Sequence, residues 1–182
     1  TQKVYFVYSG EAMLYNLTKH GNRKVIFILG KGRLLNQSIV SKKPNALFCE
    51  AACPVQVIEI AEKQFLQLME QSHALTRAVL REYERNLWRM GHQLKNTTGN
   101  MQMERKIAAK LWKLGRDFGV DTEDGVMIDI DLTITLMADL VGAPRENVSR
   151  ACKVLTDRGL IRYGNKRFIL IDFDGLAEFY KM

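Results

Sequence analysis

A chain of 182 residues with 47% hydrophobic and 26% charged side chains has the composition of a globular protein with room for one or two cores, and no apolar run approaches the ~18 residues of a membrane span. The formal charge of +7 invites an anionic partner, yet residues 1–97 carry 14 basic and 7 acidic side chains while 98–182 carry 13 of each. A nucleic-acid footprint in the second half therefore has to come from local clustering. Three cysteines make no paired framework, and an odd count points to reduced thiols and an expected cytoplasmic location.

Val4–Tyr8, Ala12–Leu17 and Lys24–Leu29 are strand-like runs, separated by Ser9-Gly10-Glu11 and by Lys19-His20-Gly21-Asn22, and they predict a meander. Leu34–Val40 is ambiguous. Ala46–Ala52 and Val55–Ile60 read as two more strands around Pro54. Short strands at this spacing predict an antiparallel roll or barrel, and because Thr1 already falls within a strand pattern, further strands before it are expected to close the roll. Cys49 and Cys53, four apart in a strand, lie roughly 13 Å from each other, too far for a disulfide unless a turn intervenes. Cys49 is expected to be buried or half-buried.

From Ser72, a candidate cap, the pattern becomes helical. Thr76, Leu80, Tyr83, Leu87, Met90, Leu94 and Thr97 recur at alternating spacings of four and three. That is a heptad seam and predicts a two-stranded coiled coil with Leu80, Tyr83, Leu87, Met90 and Leu94 at the dimer contact, although one seam can also pack on the roll. Arg77, Arg81, Arg85 and Arg89 form a row that reads as a solvated helix face, or more sharply as an anion-binding wall. Asn96-Thr97-Thr98-Gly99-Asn100 is the expected hinge. Beyond it, Ile107, Leu111, Leu114 and Phe118, widened by Ala108 and Trp112, predict an amphipathic helix, and Val126–Ile130 a short strand.

Thr133–Leu160 holds the most specific pattern. Met137, Ala138, Leu140 and Val141 give a short helix its apolar face, and Gly142 permits it to stop. Pro144 fits the first turn of a second helix, in which Val148, Ala151, Cys152 and Leu155 share one side. Arg145, Glu146, Ser149, Arg150 and Lys153 fall on the other. This is the spacing of a helix-turn-helix. Gly159 ends the second helix, Leu160–Tyr163 and Arg167–Ile171 alternate as strands, and Gly164-Asn165-Lys166 makes a basic-tipped turn between them. A winged helix-turn-helix is predicted. Asp174 is a candidate cap for a last helix over Gly175–Lys181.

R-E-N-V-S-R followed by A-C-K-V-L-T-D-R-G-L-I resembles the recognition helix of the cyclic-AMP receptor and fumarate/nitrate regulator (CRP/FNR) superfamily of bacterial transcription factors. V-Y-F-V-Y-S-G-E-A-M-L-Y with V-I-F-I-L-G-K-G resembles that family's sensor roll, so the likeness covers nearly the whole chain. It implies an α+β protein: an effector-sensing, cupin-like jelly roll over 1–71, a dimerisation helix over 72–98, and a winged helix-turn-helix over 99–182. It also implies a ligand-gated homodimer that binds double-stranded DNA and works with RNA polymerase.

Departures from the family pattern narrow the effector. Where a cyclic-AMP binder carries Gly-Glu after an apolar pair, this chain has Asn36-Gln37 after Leu34-Leu35, and Pro44-Asn45-Ala46 replaces the phosphate-pairing arginine. A buried phosphate without a cation is costly, so cyclic AMP is not expected. Cys49, Cys53 and Cys152 do not make the four-cysteine set of the iron–sulfur branch, and His20, His73 and His92 have no spacing that suggests haem. The effector is an unidentified small molecule.

In the major groove, each base pair shows its own donor and acceptor pattern. Arg150 suits guanine O6/N7, Glu146 can accept from cytosine N4 and orient Arg150, and Ser149 reaches a base or a phosphate. The resemblance adds a Glu-x-x-Ser-Arg motif matched by Glu146, Ser149 and Arg150, with Arg145 where the cyclic-AMP receptor type also has arginine. Lys153, Lys166 and Arg167 are expected at phosphates. No nucleophile–base or metal-ligand spacing supports an enzyme. The rival reading is a sensor or scaffold whose helix-turn-helix contacts only protein.

Overall fold

The computed structural model describes residues 3–19, 21–41, 43–98 and 101–181. His20 and the Gly99-Asn100 end of the expected hinge lie outside them, and so do the side chains of 95–98, Thr97 among them. The chain divides into two compact units, Thr1–Lys95 and Asn96–Met182.

The first unit is a β-roll followed by helices. Strands β1 (Lys3–Ser9), β2 (Ala12–Leu17), β3 (Arg23–Leu29), β4 (Phe48–Ala51) and β5 (Gln56–Ala61) lead into α1 (Glu62–Gln71) and α2 (His73–Thr98). The expected meander is corrected in one respect: β1 pairs antiparallel with β5, while β2 lies between β3 and β4. The backbone turns out of β1 at Gly10, whose φ is +76° and where a Cβ would stand 2.3 Å from the Pro54 carbonyl oxygen. Only glycine fits there, and the chain leaves for the other sheet. Leu14, Phe27 and Leu29 form one apolar cluster of the roll. A second joins Val4, Leu34, Ile39 and Phe65 to Val79 of α2, with Tyr83 packed against it.

Helix α1 has no counterpart in the sequence reading. Its one buried residue is Phe65, too narrow a stripe to stand out from the flanking strand and helix. Ser72 does act as the expected cap, its Oγ accepting from the Leu75 N–H at 3.2 Å. Helix α2 runs through Thr98, so 96–98 of the expected hinge are helical. Cys49, expected inside, is exposed because β4 has no buried residue.

The second unit comprises α3 (Met103–Phe118), β6 (Gly119–Thr122), β7 (Gly125–Ile128), α4 (Ile134–Val141), α5 (Arg145–Asp157), β8 (Ile161–Gly164), β9 (Arg167–Leu170) and α6 (Phe173–Lys181). One antiparallel sheet has the order β6-β7-β9-β8. The predicted stripe of α3 is buried: Ile107, Ala108 and Leu111 are each 0% exposed. Strand β6 escaped the sequence reading because all four of its residues are exposed and it has no apolar face. The final helix starts earlier than expected and is capped by Asp172, whose Oδ1 accepts from the Gly175 N–H at 2.8 Å, rather than by Asp174.

Candidate nucleic-acid interface

Thr133 caps α4 through its Oγ1, which accepts from the Leu136 N–H at 3.0 Å. Gly142 ends the helix at φ 72°, ψ 49°, a left-handed conformation that a Cβ disfavours. Its own N–H closes the turn on the Ala138 carbonyl at 2.7 Å. Pro144 stands one position outside α5, at its N-cap, rather than in the first turn. Proline there lacks an N–H where none is needed and fixes the entry into the helix.

The turn sets the rotation of α5. Val148, Ala151, Cys152 and Leu155 are between 0% and 5% exposed, seated on α3 and α4. Full burial of a Val or Leu side chain stabilises by about 1.5–3 kcal/mol, so this orientation is strongly held. On the opposite side Arg145, Glu146, Ser149, Arg150 and Lys153 are all exposed. One detail differs from expectation: the Arg150 Nη2 donates to Asn147 Oδ1, three residues earlier, rather than to Glu146. Side chains three apart face each other on a helix as well as those four apart, so the spacing allows this partner and the rotamers of Arg150 and Asn147 select it.

The wing is the β8–β9 hairpin. Its two-residue turn, Asn165 and Lys166, has φ values of 49° and 59°, the type I′ geometry that matches strand twist. The Lys166 carbonyl accepts from the Leu132 N–H at 2.7 Å, tying the tip back to the segment before α4. Lys166 itself is exposed. Several neighbouring cations have partners inside the protein. Arg167 pairs with Asp129 and lies 3.7 Å from Asp131, Arg162 pairs with Asp124, and the Arg158 guanidinium sits 5.0 Å from the centre of the Phe179 ring. The gathering of acids over Asp117–Asp139 is visible in the sequence, and the run I-D-I-D-L alternates Asp129 and Asp131 with core residues, but their pairing with the wing arginines is not.

Cys152 lies on the buried side of α5, where burial pushes its thiol up to about 11. It faces the core and is not part of the open surface. His73 and His92 are exposed, His92 against the Trp88 ring. Among the described residues, no group of three or more His, Cys, Asp or Glu side chains is gathered as a ligand set.

In the first unit, α2 has two distinct faces. Val79 and Tyr83 pack into the roll, and the Tyr83 hydroxyl lies 3.4 Å from the Asn36 carbonyl oxygen. Glu82 meets Arg33 at 2.8 Å, and Gln93 donates to the Ile26 carbonyl at 2.8 Å. Tyr83 thus belongs to the roll side, a correction to the predicted seam. Leu80, Leu87, Met90 and Leu94 are 50–72% exposed, and Trp88, not anticipated, is 59% exposed beside them. Arg77, Arg81 and Arg85 are exposed, while Arg89 turns inward, 5.9 Å from the Phe27 ring centre.

The roll's candidate effector loop is tied down by amide side chains, to β1 through Asn36 and to itself through Gln37 and Asn45. Asn36 accepts from the Tyr5 N–H at 2.8 Å and donates to the Lys3 carbonyl at 2.9 Å. Asn45 Oδ1 accepts from the Gln37 N–H, and Gln37 Oε1 from the Leu47 N–H, both at 2.8 Å.

A β-roll in one unit and an open-faced helix-turn-helix with a wing in the other define the architecture of a regulator with a DNA-binding helix-turn-helix domain. Comparison with known proteins gives the family. Residues 105–179 match the Crp-like helix-turn-helix domain and residues 1–72 the cyclic nucleotide-binding domain. The chain belongs to the CRP/FNR superfamily of transcription regulators. It is 23% identical over 177 residues to a CRP-like cAMP-activated global transcriptional regulator of Mycobacterium tuberculosis, covering 97% of this chain and 79% of that protein. It is also 23% identical over 169 residues to the global nitrogen regulator of a Nostoc species, covering 91% and 75% respectively. Among solved structures, FixK2 from Bradyrhizobium japonicum matches with a TM-score of 0.81 at 18% identity, covering 97% of this chain and 86% of that one. A CooA mutant from Carboxydothermus hydrogenoformans gives 0.82, also at 18%, covering 98% and 78%. These relatives are transcription regulators rather than enzymes, and among the described residues no helix is long and apolar enough to cross a membrane.

The raised Cys152 thiol gives a pH dependence. An unfolded thiol ionises near 9 and the folded one near 11, so its contribution is fully present below about pH 9 and is lost as pH rises toward 11. The change is at most about 2–3 kcal/mol. Chemical denaturation between pH 8 and 11 should show wild type losing more stability than Cys152→Ala; parallel profiles would remove the thiol as the cause.

Proposed function

We propose that the protein is a homodimeric, effector-gated transcription factor that reads a near-palindromic DNA site through α5. The observation that carries this reading is the exposure of Arg145, Glu146, Ser149 and Arg150 together, opposite a fully buried stripe. The guanidinium of Arg150, oriented by Asn147, suits guanine O6/N7; Glu146 suits cytosine N4. Ser149 and Arg145 flank them within reach of bases. Lys153, Lys166 and Arg167 serve phosphates, which fix register without specifying sequence. Two such helices must lie about one DNA turn, ~34 Å, apart, and this is the role of a dimer.

The exposed row Leu80, Leu87, Met90 and Leu94 supports pairing through α2, because apolar side chains at heptad spacing gain most from a second helix. The effector is a small molecule other than cyclic AMP. In its support, Asn36 spends its amide on the β1 backbone at Lys3 and Tyr5, Gln37 spends its amide oxygen on the Leu47 N–H, and residues 30–49 contain no carboxylate for a ribose hydroxyl. A cytoplasmic location and RNA polymerase as partner follow from the family reading.

Two measurements test the proposal. In mobility-shift assays with a near-palindromic duplex, Arg150→Ala should lose ~1–3 kcal/mol and relax discrimination at one base pair per half-site, whereas Lys166→Ala should weaken all sequences alike and flatten the salt slope by about one unit. Equal loss on every sequence would make Arg150 a phosphate contact, and no sequence-dependent binding by wild type would favour a protein-contact role. In sedimentation equilibrium Leu87→Asp should shift the dimer to monomer; an unchanged mass would place the dimer contact elsewhere.

A further inference from the structure

We propose that Asp129 and Asp131 form a carboxylate strap that competes with DNA phosphate for Arg167, and so sets how much positive charge the wing lends to binding. The inference rests on the DNA-binding reading of α5.

The strap is built into the fold. The Asp129 N–H donates to the Phe118 carbonyl at 2.8 Å and the Leu132 N–H to the Lys166 carbonyl at 2.7 Å, so the segment is anchored at both ends and one anchor is the wing tip itself. Ile130 and Leu132 are 5% and 0% exposed, while Asp129 and Asp131 lie outside. Burial of the two apolar side chains keeps the two carboxylates beside the hairpin. Asp129 Oδ1 pairs with Arg167 Nη1, and Asp131 Oδ1 stands 3.7 Å from Nη2. Both edges of one guanidinium therefore face acids.

Side-chain exposure decides what this can do. Arg167 is 34% exposed and the aspartates are 55% and 57% exposed, so water and salt screen the pairs and each is weak. A phosphate can take both terminal nitrogens of the guanidinium bidentately, where the two acids give it one hydrogen bond and one looser ion pair, and can displace a screened carboxylate. Arg167 cannot serve both partners fully at once. The strap thus lowers the affinity of the wing for any duplex without altering which bases are read. Lys166, exposed at the tip, is left as the wing's other phosphate candidate.

The test is a salt series of binding by the full chain to a mixed-sequence duplex and to a near-palindromic one. It compares wild type, Asp129→Asn with Asp131→Asn, Arg167→Ala, and all three together, with a melting curve for each. Removing the acids should tighten both duplexes alike, roughly two- to fivefold, and steepen the salt slope by about one unit. That gain should vanish in the Arg167→Ala background. Should the double variant fold poorly, Asp131→Asn alone should show a smaller gain of the same sign. An equal gain with and without Arg167 would mean simple repulsion of DNA by the acids, and no gain or a loss would mean that they hold Arg167 where it is needed; any of these overturns the strap. Wild type that binds and discriminates while the strap variants stay unchanged sinks only this inference, whereas wild type that binds neither duplex sinks both readings.

Discussion

The burial of Val148, Ala151, Cys152 and Leu155 governs what α5 offers to the outside, because a helix with one wholly apolar side cannot rotate without exposing it. Shifting α5 by one residue turns it roughly 100° and would bring Ser149 or Arg150 into the side that packs on α3 and α4. A buried, unpaired guanidinium costs far more than any surface contact returns. The open face is therefore a consequence of the core. Gly142 matters for the same reason: its left-handed turn directs α5 to the one orientation in which the stripe meets α3 and α4.

Helix α2 shows the same logic with two faces in place of one. Tyr83 lies roughly 40° from Val79 and roughly 60° from Leu80 on the helical wheel, which puts it on the border between them. Heptad spacing assigns it to the seam. The roll claims it instead, because Val4, Leu34 and Phe65 leave an apolar surface that an aromatic ring covers. Desolvation there, more than the neighbouring Glu82 carboxylate, pushes the Tyr83 hydroxyl up. Beside it, the Arg33 and Glu82 side chains are only 16% and 13% exposed. A pair so shielded is poorly screened, and loss of either partner leaves a charge that water does not easily reach. Apolar contact and ion pair together fix which side of α2 is left free.

What was legible in the sequence follows from which elements carry a periodic apolar face. Helix α3 and the α4–α5 pair bury stripes at helical spacing, strands β2 and β3 bury short runs of consecutive apolar residues, Ala12–Leu14 and Phe27–Leu29, and these elements were readable within a residue or two. Strand β6 and helix α1 were not, since one buries nothing and the other buries only Phe65. The pairing of β1 with β5 is a long-range fact. It depends on the Gly10 backbone meeting Pro54, a contact no local pattern encodes. On the candidate interface, the exposed side chains of α5 were readable from the helical period, while Asn147 beside Arg150 and Asp129 beside Arg167 depend on rotamers and on the path of a loop.

The wing carries a backbone cost that its surroundings explain. A non-glycine residue in the left-handed region is disfavoured by roughly 1–2 kcal/mol, and Lys166 adopts that conformation at φ 59°. Glycine would relieve it but would place no charge at the tip. The hydrogen bond from Leu132 to the Lys166 carbonyl and the burial of Leu132 hold the turn in place despite the strain. A lysine kept in a strained turn, on a hairpin whose neighbouring arginines are already paired with acids, makes sense where the tip itself must present a cation. The stability given up at one residue is then the physical counterpart of the charge that residue displays.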